Sequence, residues 1–417
     1  GIETLVAADG TGVAQLLTPQ ARARLWVAVA DARGVHAAQN GDNDGAARWL
    51  GEALRRAEAI PAEAASDRGL AATRLEALQR LAIVHEQRGD HAAAAAMLDR
   101  AVAAYERQVE AEPELPKWRV ALARLLGSRA GNRLARGTAD DPLPDFDRAV
   151  GMLRSAVAAS PQDREYARTL AVALAERGSF RLRSDDTAGG TADLDEGQKL
   201  LLDLVTSRPD DRTSSQNLDT LQFQVAMAKA MAGDFGAART ELGQLLARPR
   251  PDDDASTQTV IKASLTAADL AMRDGDPAVA RQTADDAVQR ATRWVEARPD
   301  AAERLVLLAN ARMSRGALLA ATVGVDEAIA EWTAALGPAE TAAASGSEAG
   351  RRAHGTLLLR LCGVQHGRSD RAGARAWFQK AMATGITRTQ VAALPGVASL
   401  FDSPDFRDLL PAPNHAK

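Results

Sequence analysis

A step of 48 residues recurs through more than half of this 417-residue chain. The turn-favouring residues Gly41, Gly89, Gly137, Asp185 and Gly233 each follow the last at that interval. The small residue seven positions before each turn keeps the same step: Gly34, Ala82, Ala130, Gly178 and Ala226. So do the prolines Pro113, Pro161 and Pro209. A repeated unit of this size cannot bury its apolar side alone and becomes stable by stacking on its neighbours.

Residues 74–113 show what one unit contains. Leu75, Leu78, Ala82 and His85 recur at three- and four-residue steps, and Leu81 and Val84 widen the same face, which predicts an amphipathic helix. Arg88-Gly89-Asp90 ends it, because Gly tolerates left-handed backbone and Asp favours a turn or an N-cap. Ala94, Leu98, Ala101, Val102 and Tyr105 then form the inner face of a second helix, closed by Pro113. At about 20 residues each, such helices are rods roughly 30 Å long. Ala dominates the apolar content and aromatics are 4%, so the interior is expected to rest on close helix contact.

The order of small residue, Gly-Asp turn, Ala94, Leu98 and Ala101 resembles the tetratricopeptide repeat (TPR), in a long-hairpin variant. The resemblance implies an all-α, right-handed superhelical solenoid of about eight stacked hairpins, acting as a non-catalytic scaffold for a peptide or protein partner. Long-hairpin arrays rich in Ala, Arg and Asp also resemble the regulatory regions of bacterial signalling proteins, such as Ser/Thr kinases or transcription activators. The start at Gly1 instead of Met points to upstream segments that would carry catalysis or DNA binding in that alternative.

In arrays of this kind the first helix of each hairpin lines a concave groove. Alignment on the turns makes Gln79, Glu86, Arg124, Phe223, Met227, Met231, Lys262, Asp269 and Arg273 the groove candidates. Phe223, Met227 and Met231 step by four along one helix, and Met suits an adaptable surface. The same three could instead pack on the next hairpin, since stacking consumes most apolar stripes. The Lys/Asn pattern by which some family members hold a terminal carboxylate is absent.

The expected divisions are a lead-in (residues 1–17), hairpins one to five (18–247), a Pro- and Asp-rich linker (248–256), hairpins six to eight (257–384) and a capping segment (385–417). Thr18-Pro19 should start the first helix. The Pro142/Pro144 segment, the Gly189-Gly190 pair and the Ala/Ser-rich residues 337–347 are expected to interrupt helix. Phe401, Phe406, Leu409 and Leu410 would cover the last hairpin.

A net charge of −4 gives no support for nucleic-acid binding. No apolar run reaches the roughly 20 residues of a membrane span, and the compartment is left open, with the cytoplasm favoured. The six histidines lack metal-ligand spacing. Asp42-Asn43-Asp44-Gly45 lacks the calcium-loop Glu, Gly10-Thr11-Gly12 lacks a third glycine, and Asp252-Asp253-Asp254 reads as a solvated linker. Cys362 and the six tryptophans read as packing residues. No catalytic residue, metal or cofactor is expected, and the oligomeric state is open.

Overall fold

The computed structural model describes residues 19–40, 42–60, 68–137, 140–250, 253–392 and 394–410. The expected lead-in, Gly10–Gly12, Thr18, Gly41, Asp252 and His415 lie outside these residues. The described residues contain no strand, and sixteen long helices pair into eight antiparallel hairpins. They are α1 (Pro19–Gln39) with α2 (Asn43–Glu58), α3 (Arg68–Gln87) with α4 (His91–Ala111), α5 (Pro116–Arg136) with α6 (Leu143–Ala159), and α7 (Arg164–Arg183) with α8 (Thr187–Ser207). There follow α9 (Arg212–Met231) with α10 (Phe235–Ala247), α11 (Asp254–Arg273) with α12 (Pro277–Ala297), α13 (Ala302–Thr322) with α14 (Val325–Ala344), and α15 (Glu348–Gly367) with α16 (Arg371–Ala383). The chain divides into two compact units, one ending at Leu221 and the other beginning at Gln222. That division falls within α9 and ahead of residues 248–256.

A single aspartate builds most of the turns within hairpins. At the second hairpin the Asp90 amide donates to the His85 carbonyl at 2.9 Å, closing α3, while Gly89 takes the left-handed φ of 73° that this ending needs. The Asp90 carboxylate then accepts from the Ala93 amide at 3.0 Å and caps α4. Asp186, Asp234, Asp276 and Asp370 do the same work at later turns. Asp185 and Ser369 adopt the left-handed conformation without being glycine.

Small residues set the distance between the two rods. Ala82, Ala130 and Ala226 are buried, and a Cβ on Gly178 would stand 2.8 Å from the Gly190 carbonyl oxygen. The glycines 189 and 190 therefore do not interrupt the fourth hairpin. They form the first turn of α8, with the Gly189 amide capped by Asp186 and Gly190 lying against Gly178. Residues 337–344 likewise continue α14, with Pro338 inside the helix and Ala339 and Ala342 fully buried. Burial of that small-residue face outweighs the lost backbone hydrogen bond. Pro144 sits within the first turn of α6, where a proline costs no internal bond. The expected linker also shortens, because α11 begins at Asp254 with Asp253 as its N-cap.

In the first unit one apolar core runs through four hairpins, from Leu50 and Leu54 through Leu78, Leu98, Leu126 and Leu153 to Leu174. In the second unit the clusters are smaller and successive, ending where the C-terminal segment folds over α16. There Phe406 is fully buried and stacks on Phe378 at 4.6 Å, and Phe401 meets the same ring edge-on at 5.5 Å. Within each unit the first helices of neighbouring hairpins touch: α1 with α3 and α5 with α7, then α11 with α13 and α13 with α15. No two second helices among the described residues approach as closely, which puts the first helices on the tighter side of each row.

Charged clamps reinforce the stacking. Arg177 on α7 reaches Asp193 on α8 through two bonds, Nε at 2.8 Å and Nη2 at 2.7 Å, and Asp147 on the preceding α6 at 2.8 Å. Arg129 repeats this one period earlier, with both bonds to Asp145 at 2.7 Å and Asp99 at 3.3 Å. Arg315 does so again between Glu331 and, at 3.2 Å, Asp285. Burial opposes the Arg177 charge, but the Asp193 and Asp147 carboxylates outweigh it and raise its pKa. Each such arginine joins the two helices of its own hairpin to the second helix of the hairpin before.

Candidate partner-binding faces

The nine groove candidates separate into two sets, three in the first unit and six in the second. In the first unit the polar candidates are engaged within the fold. Arg124 on α5 donates to Glu165 at 2.6 Å and to Thr169 at 2.9 Å, both on α7. The hydrogen bond from Arg124 holds the Glu165 carboxyl below its usual range. Glu86 is half-buried, and burial pushes its pKa up, against a hydrogen bond from Asn132. Asn132 itself is buried and donates to the His91 carbonyl at 3.1 Å. Gln79 is half-buried on α3.

In the second unit the apolar stripe on α9 divides. Phe223 packs against a core of Ala226, Ala238, Leu242, Leu245, Ala263 and Leu270, joining α9 to α10 and α11. Met227 and Met231, one and two turns further along, stay on the surface at 38% and 70% exposure. α9 ends at Met231 with the Gly233 turn just beyond, and the core that α10 and α11 build against Phe223 includes neither methionine. On α11, Lys262 is exposed, and exposed Asp269 and Arg273 pair with each other at 3.0 Å, one helical turn apart.

Other residues singled out in the sequence take packing positions. Cys362 is fully buried, and burial pushes its thiol up to about 12, so it carries no thiolate near neutrality. Trp294 and Trp332 are buried, and all six tryptophans have an Arg or Lys over the ring, between 4.6 and 5.8 Å from its centre. No group of three or more His, Cys, Asp or Glu side chains among the described residues could hold a metal ion. No helix among them is long and apolar enough to cross a membrane.

The clamp arginines were not singled out by sequence reasoning, although Arg129 and Arg177, like Asp145 and Asp193, stand one 48-residue step apart. That period was the signal available for finding them. A cleft of about 800 Å³ between α10, α11 and α12 was also not foreseen.

No family model matches the chain, and no curated protein does. Among solved structures it is similar to a tetratricopeptide repeat protein from Parabacteroides merdae, at 15% identity over 74% of this chain and 92% of that one, with a TM-score of 0.39. It is also similar to the quorum sensor NprR from B. thuringiensis, at 10% identity over 92% and 97% of the two chains, TM-score 0.44. A third likeness is to the S. pombe nuclear import adaptor Nro1, at 14% identity over 67% and 95%, TM-score 0.47. Paired helices, capped Gly-Asp turns and small-residue seams carry the conclusion on their own: each unit of this protein is a TPR-like row of antiparallel helical hairpins.

Proposed function

We propose that this protein is a non-catalytic interaction scaffold that holds a peptide or protein partner against its first-helix face. The observation that carries the reading is the pair Met227 and Met231, apolar and exposed at one end of a first helix whose other apolar residues are buried or half-buried. Flexible thioether side chains adapt to varied apolar partners. Lys262, Asp269 and Arg273, exposed on the next first helix, would supply a polar rim. Phe223 would support that face from beneath and not touch the partner. Gln79, Glu86 and Arg124 are weaker contacts in this reading, since two of them already serve neighbouring side chains.

The test separates surface from core. Met227→Ser with Met231→Ser should leave stability within about 0.5 kcal/mol, as for exposed positions. Quantified capture of proteins from an extract of the source cells should lose specific bands. Phe223→Ala should lower the melting temperature. Unchanged capture by the methionine variant, with melting also unchanged, would remove this face from the reading.

A further inference from the structure

The regular step first fails after Gly233: Gly275 follows it after 42 residues, not 48. The shortfall is in the second helix of the fifth hairpin. α10 has 13 residues, whereas α8 and α12 have 21 each. Eight missing residues shorten that rod by about 12 Å. The place it would have filled is an open cleft of about 800 Å³ between the end of α10, the first half of α11 and the second half of α12.

The cleft is basic with an apolar floor. Arg248, Arg250, Arg290 and Arg293 line it against one carboxylate, Asp286. Leu246, Val260 and Ala297 supply the apolar surface. Arg248 donates to Gln222 at 2.5 Å and Arg250 to the Arg248 carbonyl at 3.1 Å, which fixes both at the end of α10. Arg290 and Arg293 are exposed and make no ion pair among the described residues. Trp294 is part of the wall, but the Arg304 guanidinium covers its ring at 4.8 Å, so no planar base can stack on that face.

We infer that this cleft binds a short acidic peptide segment, with carboxylates on Arg290 and Arg293 and an apolar side chain on the Leu246–Val260 floor. Planar guanidinium forks suit carboxylate pairs. The volume suits a ligand of a few residues, and the open rim lets a chain enter and leave. The site uses α10, α11 and α12, and none of its lining residues is on α9, so it and the methionine face can fail separately.

The experiment titrates the full chain with a labelled hexapeptide of alternating Asp and Leu, at low and at physiological salt, beside the same peptide with Lys for Asp. Saturable binding of the acidic peptide alone is expected, weakened by salt. Arg290→Glu with Arg293→Glu should weaken it by at least about tenfold, with the melting temperature unchanged. Arg290→Gln with Arg293→Gln gives the same readout without reversing charge. Wild-type binding that survives both variants, or no binding at low salt, overturns the proposal. Inorganic pyrophosphate is the second probe. If it binds and is lost in the variants while the peptide does not bind, the cleft takes a small oxyanion, and the peptide assignment is overturned.

Discussion

Hairpins four and five follow each other in the chain but are held together by different means. In hairpin four, buried Arg177 grips buried Asp193 through two bonds, with Arg181 adding a third contact at 3.1 Å. One period on, the corresponding positions are Val225, Glu241 and Lys229. There a lysine stands in place of the arginine fork: Lys229 reaches Glu241 at 2.5 Å, with Lys229 about one-third exposed. The seam persists. Gly178 lies against the Gly190 carbonyl, and one period on the seam is made by Ala226 and Ala238, both fully buried. The second helix shrinks from 21 residues to 13. The seam stays packed, but clamp and length both change at the fifth hairpin, which carries the exposed methionines and borders the arginine cleft. Departures from local regularity concentrate where a chain has another task.

The comparison can be broken at several points. The largest effect should come from Asp193→Ala, which strands the buried Arg177 charge and should cost about 3–5 kcal/mol in urea unfolding. Lys229→Ala is its counterpart in hairpin five. With a cation about one-third exposed it should cost only about 1–2 kcal/mol, and an equal loss from both would show that the clamps do not differ. Gly178→Ala should force α7 and α8 apart and cost about 1–3 kcal/mol. Gly243→Ala should do the reverse and add about 0.5–1 kcal/mol, since its Cβ meets nothing and Ala is the better helix former. Matched thermal melts of the two glycine variants check the sign directly.

The hairpins were legible because three kinds of residue kept one step, and each has a physical role that the structure displays. Gly89 supplies the left-handed turn, Asp90 the cap, and Ala82 the close approach. Gly189-Gly190 misled because glycine reads as a breaker when its neighbour across the seam is unknown. Only the packing of Gly190 on Gly178 makes both residues helical. The Ala/Ser-rich residues 337–347 misled for a similar reason, since the burial of Ala339 and Ala342 that holds α14 together is a tertiary effect. Among the candidate site residues, helix phase alone put Phe223, Met227 and Met231 together. Whether each is covered depended on where α9 stops and on what α10 and α11 bring beside it. Arg124 looked available for a partner because Glu165 and Thr169, its acceptors, lie 41 and 45 residues away in the chain.

The central claim is that the repeat is relaxed at the fifth hairpin, beside the faces proposed for binding. Amide hydrogen exchange on the full chain, resolved to the segments 187–207 and 235–247, tests it most directly. Protection reports local opening, so amides of α10 should exchange at least about tenfold faster than those of α8. Equal or slower exchange in α10 would contradict the account.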